Sequence, residues 1–236
     1  MAGIPYLKPT GENNYILAYP DGERDPAYDF GRILAESRRA EHDGDVKGAC
    51  DMRYAAFQKL LELIPENEET ALEWEEEDDN RAALSLAYAS AIDNFLVGDF
   101  ELAAAMFELL LDLDPEDHLE ATQPLAYCYI VLEEDELFDE IIDDISDKYP
   151  EKAILKMWSG LNRSGAIPEG EAIHFKKSFP VYYAEFTAPS HDVTAEFVAS
   201  IESEHPSREA QARELWLQTE HIWNRHPEFI EALKKA

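Results

Sequence analysis

The side chains able to do covalent or metal chemistry are few, and their spacing does not suit it. His42, His118, His174, His191, His205, His221 and His226 are scattered along the chain. None has a second histidine three or four residues away on one helix face, the spacing that lets two imidazoles reach one zinc ion. His221 and His226 come nearest, but five residues apart and beside Pro227 they diverge on a helix. Cys50 and Cys128 lie inside apolar helical patterns, where burial raises a thiol pKa and removes the reactive thiolate. No glycine-rich loop leads into Lys-Ser or Lys-Thr for a phosphate, and no Gly-x-Ser-x-Gly elbow presents a serine. Glu133, Glu134, Asp135 and Glu136 could attract calcium by composition. They lack the alternating ligand spacing and central glycine of a calcium loop. These residues predict no enzyme, no metal and no cofactor.

Carboxylates are abundant, and their placement is informative. The chain has 51 acids and 20 bases, a formal charge of −31. Residues 66–147 hold 27 of the acids and one base, Arg81. Such a surface repels phosphate backbones and anionic lipid, which argues against nucleic-acid and membrane partners. It would attract a cationic protein and speed the encounter. The expected acidic surface comprises Glu75, Glu76, Glu77, Glu133, Glu134 and Asp135. The alternative is a solvated helical face that only maintains solubility. No stretch approaches the ~18 uncharged apolar residues of a membrane span. Met1 to Thr10 contain no apolar run of signal type, and two separated cysteines suit a reducing compartment. The expected location is cytoplasmic.

The elements that would position these groups are mostly helical. Residues 1–29, rich in Pro, Gly, Tyr and Asp, read as an extended arm with one strand near Tyr15–Tyr19 and a turn at Asp21-Gly22. From Phe30 onward apolar residues recur at three- and four-residue steps. His42-Asp43-Gly44-Asp45 separates a first helix from a second that ends at Pro65. Glu66 to Asn80 carry nine acids, no base and Trp74, and read as an exposed helix end or loop. A helix starting near Arg81 runs to Val97-Gly98, and Asp99 is placed to cap the next, which Pro115 ends. Asp117 and Glu120 have capping-box spacing. Two further helices follow, split by Glu133 to Asp135, the second reaching Ile145 and stopped by Pro150.

The order helix, tight turn, helix, proline recurs. Pro115 and Pro150 are 35 residues apart, and Pro65 and Pro115 show the same spacing once residues 66–80 are set aside as an insertion. Gly98-Asp99-Phe100-Glu101-Leu102-Ala103, with Ala91, Phe107, Leu110 and Asp114-Pro115, resembles the tetratricopeptide repeat, whose period is about 34 residues. Residues 119–150 match through Leu125, Ala126, Tyr129, Ile142, Ile145 and Pro150, with Phe138 where the family carries a small residue. Residues 30–65 match through Gly44-Asp45, Ala49, Phe57 and Pro65 if the second helix has one extra turn. The resemblance implies an all-α fold of about three stacked antiparallel hairpins over residues 30–150. It also implies a partner-binding groove lined by first helices, through Tyr88, Ile92 and Phe95 in one hairpin and Gln123, Tyr127 and Ile130 in the next. That face equally suits burial under the chain's own arm.

Residues 151–236 read as capping helices. Ala153 to Leu161 form one, Pro168 to Phe179 a short one, and helices begin near Ser190 or Asp192 and at Pro206. Between them, Pro180-Val181-Tyr182-Tyr183-Ala184-Glu185-Phe186 is aromatic and β-prone and reads as extended. The expectation is a protein-interaction module for a basic partner. The alternatives are a chaperone of tetratricopeptide type for a secreted partner and a structural subunit that associates with itself.

Overall fold

The fold is described from a computed structural model covering residues 3–65, 69–74 and 78–235. It is mainly helical, as the apolar periodicity predicts, and carries a small sheet. Among the described residues no helix is long and apolar enough to cross a membrane. The chain divides into two compact units, Met1–Phe95 with Asp99–Cys128, and Leu96–Gly98 with Tyr129–Ala236. The division falls at the end of the third helix and within the fifth, and the expected capping region lies wholly in the second unit.

In the first unit the N-terminal arm holds two strands rather than one. β1 (Tyr6–Pro9) pairs antiparallel with β2 (Asn14–Ala18) through a turn in which Asn13 takes φ 60°. A third strand, β3 (Ala71–Leu72), comes from the acidic stretch and pairs parallel with β2, Asn14 opposite Ala71 and Tyr15 opposite Leu72. This part of the expected insertion is therefore docked on the arm.

Helices α1 (Phe30–His42) and α2 (Val46–Leu61) form a hairpin. Gly44 at φ +88° allows the reversal, a backbone region that costs other residues about 1 kcal/mol or more. Asp45 then caps α2, its carboxylate accepting from Gly48 N at 3.0 Å. The same device recurs between α3 (Asp78–Val97) and α4 (Phe100–Leu113), where Gly98 has φ +81° and Asp99 accepts from Leu102 N at 3.4 Å. Ala91 and Ala103 are fully buried, and the Tyr88 and Phe107 rings meet at 5.9 Å between α3 and α4.

The connection into α5 (Thr122–Val131) differs from a capping box. Asp117 alone caps, its carboxylate accepting from Ala121 N at 2.6 Å and Thr122 N at 3.2 Å. Glu120 adopts φ 55° and cannot return a bond in the reciprocal geometry.

In the second unit α6 (Asp135–Ile141) is shorter than the apolar run suggested, and Pro150 opens α7 (Pro150–Ser164) instead of stopping α6. Proline suits a first helical position because that N–H has no partner there. Gly165 ends α7 in the left-handed conformation. α8 (Glu171–Ser178) is followed by α9 (Pro180–Phe186), so the segment expected to be extended is helical. Its aromatics pay their way as packing groups: Phe186 is fully buried edge-on to Trp216 at 5.2 Å and Trp223 at 5.8 Å. Tertiary burial here overrides β-propensity. α10 (Ala195–Ile201), α11 (Arg208–Trp223) and α12 (Pro227–Lys235) complete the unit around Trp158, which meets Trp223 at 5.1 Å. The connection from α9 to α10 is pinned by His191, stacked on Trp216 at 3.8 Å and paired with Glu185 at 2.7 Å.

Candidate functional site

The structure divides the six residues expected to line a groove. Phe95 and Tyr127 pack together in the first unit with ring centroids 6.2 Å apart, both nearly sealed from solvent. Ile130 is a core residue of the second unit. Tyr88, Ile92 and Gln123 remain half-buried. Burial pushes the Tyr88 phenol up to about 12, with Asp117 and Glu120 adding to the effect, so it stays a neutral hydrogen-bonding group at ordinary pH. Both cysteines are held as thiols by burial, Cys128 at about 12.

The expected acidic surface divides as well. Glu75, Glu76 and Glu77 lie outside the described residues. Glu133 and Glu134 are exposed at the turn before α6. Asp135 is not open in the same way, because Arg163 of α7 reaches back to it. Nε of Arg163 lies 2.8 Å from Asp135 and Nη1 2.9 Å from Asp139. Lys152 pairs with Asp147 at 2.9 Å, and Lys156 with Asp143 at 3.1 Å. The acids of α6 and the following turn are thus partly neutralised by bases 5 to 28 residues further on.

In the first unit Arg24 pairs with Asp79 at 2.7 Å and Arg53 with Asp93 at 2.8 Å, so two acids of residues 66–128 are met by bases from earlier in the chain. Arg81, the only base in 66–147, is committed to Asp78 and to the Trp74 carbonyl. Glu101, Glu108 and Asp112 recur at helical spacing on the exposed face of α4. Glu116 lies just beyond its end and is also exposed.

Close to that helix end lies a cleft of about 540 Å³, lined by Glu73 and Trp74 after β3 and by Asp114, Glu116 and His118 after α4. Asp114 organises it. Its carboxylate accepts from His118 N at 2.9 Å and lies 2.7 Å from His118 Nδ1. This holds the imidazole flat against the Trp74 indole, 4.8 Å away and 4° from parallel. His118 Nε2 is 3.5 Å from Glu116. An Asp–His pair is half of a general-base arrangement, but the residues lining this cleft supply no hydroxyl or thiol to activate. Carboxylates beside an indole, with no Lys or Arg among the lining residues, form instead a surface that favours cations. Sequence reading missed this grouping. The available signal was the Asp114–His118 spacing of four and a lone tryptophan inside an acidic run.

No family model, curated protein or solved structure matches the sequence.

Proposed function

We propose that the chain is a protein-interaction module that takes a basic segment of a partner on the acidic surface of its first unit, built on helix hairpins of tetratricopeptide type. The observation that carries this reading is the charge asymmetry. Exposed Glu101, Asp112 and Glu116 lie along and just beyond α4, and no Lys or Arg among the described residues pairs with them. Asp135 and Asp139 of α6 are met by Arg163, and Asp143 and Asp147 just after it by Lys156 and Lys152. The apolar part of the contact falls to Tyr88 and Ile92, one turn apart on α3, with Gln123 of α5. The hairpin reading is supported by the two Gly-Asp turns and by the buried Ala91 and Ala103, which permit close helix approach.

The test is affinity capture from native extract, comparing the wild type with the Glu101→Lys, Glu108→Lys, Asp112→Lys triple variant at low salt and at ~0.5 M. Screening shortens the electrostatic range severalfold over that interval. A lysine- or arginine-rich partner should be retained at low salt, lost at high salt, and lost to the triple variant. These positions are exposed, so the variant should keep its folding stability. Capture that ignores both salt and charge reversal would refute the reading, and recovery of the protein's own copies alone would favour self-association.

A further inference from the structure

Within the second unit, the starts of α7 and α9 and one face of α11 enclose a cleft of about 610 Å³, inside the range of small-molecule sites. Its chemistry differs from the acidic surface of the first unit. Glu214 projects from α11, half-buried, with no hydrogen bond or ion pair among the described residues. Burial alone raises its carboxyl pKa, the mark of a charge partly withdrawn from water without a partner. On the opposite wall Phe179 and Tyr182 stand edge to face, centroids 6.4 Å apart. The Tyr182 phenol is within electrostatic reach of Glu151, Arg208 and Glu214. Arg208 and Lys148 are exposed on the rim, so the cleft presents two half-buried carboxylates, Glu151 and Glu214, an aromatic wall and outer cations.

Charge narrows the ligand. An uncharged ligand would leave Glu214 desolvated and uncompensated, and a purely anionic one would be repelled by it.

We propose that this cleft binds a small zwitterion of the free aromatic α-amino-acid class, its ammonium on Glu214, its ring against Phe179 and Tyr182, and its carboxylate on Arg208 and Lys148. The test uses the whole chain and three probes of one shape: L-phenylalanine, phenethylamine and phenylacetate, titrated with ligand-observed NMR. Phenylalanine should bind saturably and tightest, phenylacetate weakest. Glu214→Gln should weaken phenylalanine and phenethylamine by roughly tenfold, the loss of one charge-assisted bond. Arg208→Gln should weaken phenylalanine and leave phenethylamine unchanged. Both substitutions are at solvent-reached positions, and an unchanged melting profile shows that the fold survives. The proposal is overturned if no probe saturates or if Glu214→Gln leaves affinity unaltered. Phenethylamine binding as tightly as phenylalanine would overturn the zwitterion assignment.

Discussion

Arg53→Met is expected to destabilise the first unit by about 3 kcal/mol near neutral pH, at the lower end of the ~3–5 kcal/mol cost of breaking a buried ion pair. The Arg53 side chain is 6% exposed. Its guanidinium donates to Ser37 Oγ at 3.3 Å, to Asp93 Oδ1 at 2.8 Å and to the Glu41 carboxylate, so it ties α2 to α1 and α3. Methionine keeps the apolar stem but removes every donor. Glu41 is half exposed and water takes over its solvation, so its share is small. Asp93 is 14% exposed and would be left as a recessed charge without a cation. Equilibrium urea unfolding gives the number: the midpoint should fall with little change in slope. A loss below ~1 kcal/mol would mean that water reaches Asp93 freely. Adding Asp93→Asn to the variant should restore more than half of the loss, since it removes the stranded charge.

The pH dependence has a definite sign. Burial raises the Asp93 carboxyl pKa in the folded chain, and the nearby Arg53 opposes that rise. A raised carboxyl makes the native state hold its proton where the unfolded chain has lost it, so this group's contribution to stability falls as pH rises through that window. Without Arg53 the window extends further upward. The cost of Arg53→Met should therefore be smaller at about pH 5 than at about pH 8.

What the sequence made legible follows from local chemistry. Gly44-Asp45 and Gly98-Asp99 mark reversals that need a left-handed residue followed by a cap, and both appear where that requirement places them. β3 was not legible. Two residues carry no readable alternation, and the partner strand lies 57 residues away along the chain. Pro180–Phe186 misled for the opposite reason: its β-prone aromatics are explained by rings from α11, which no local pattern announces. The groove residues show the limit of an apolar helix face. Phe95 and Tyr127 have the spacing of a binding stripe, and the same spacing serves a core in which the two rings meet. Asp135 was readable as acidic surface. That Arg163 would cover it was not, because the arginine is 28 residues away.

Asn80→Leu should destabilise the first unit by about 3 kcal/mol and release β3 selectively. Asn80 is a fully buried polar side chain at the start of α3, and its amide is fully used. Oδ1 accepts from Leu17 N at 2.8 Å, while Nδ2 donates to Glu73 O at 2.8 Å and Tyr15 O at 3.1 Å. One side chain thus joins the arm, the end of the acidic stretch and a helix. Leucine has nearly the same shape, so the change leaves little cavity but strands the Leu17 N–H and the Glu73 carbonyl, at ~1–3 kcal/mol for each group kept from water, while Tyr15 O keeps its bond from Glu73 N. The Leu17 N–H bond is buried and should cost most; the Glu73 carbonyl is part-buried and can recover some hydration. β3 is held besides by its ladder bonds, Ala71 N to Asn13 O at 2.7 Å and Glu73 N to Tyr15 O at 3.0 Å, by the buried Leu72 side chain and by the Thr10 hydroxyl donating to the Glu73 carboxylate. Without the Asn80 anchor on Glu73 O the two ladder bonds open more readily, so hydrogen exchange should accelerate at Ala71 and Glu73 while the amides of α11 in the second unit keep their protection. Asn80→Asp is expected to cost at least as much. It keeps the acceptor for Leu17 but turns a charge toward two carbonyl oxygens, and it should recover as the pH falls and that carboxyl takes up a proton. Uniform exchange across both units would instead mean that Asn80 supports the whole fold. Trp74 follows directly on Glu73, so the amide that fixes Glu73 also sets where the indole meets His118. Losing it should loosen the acidic cleft before it unfolds the helices.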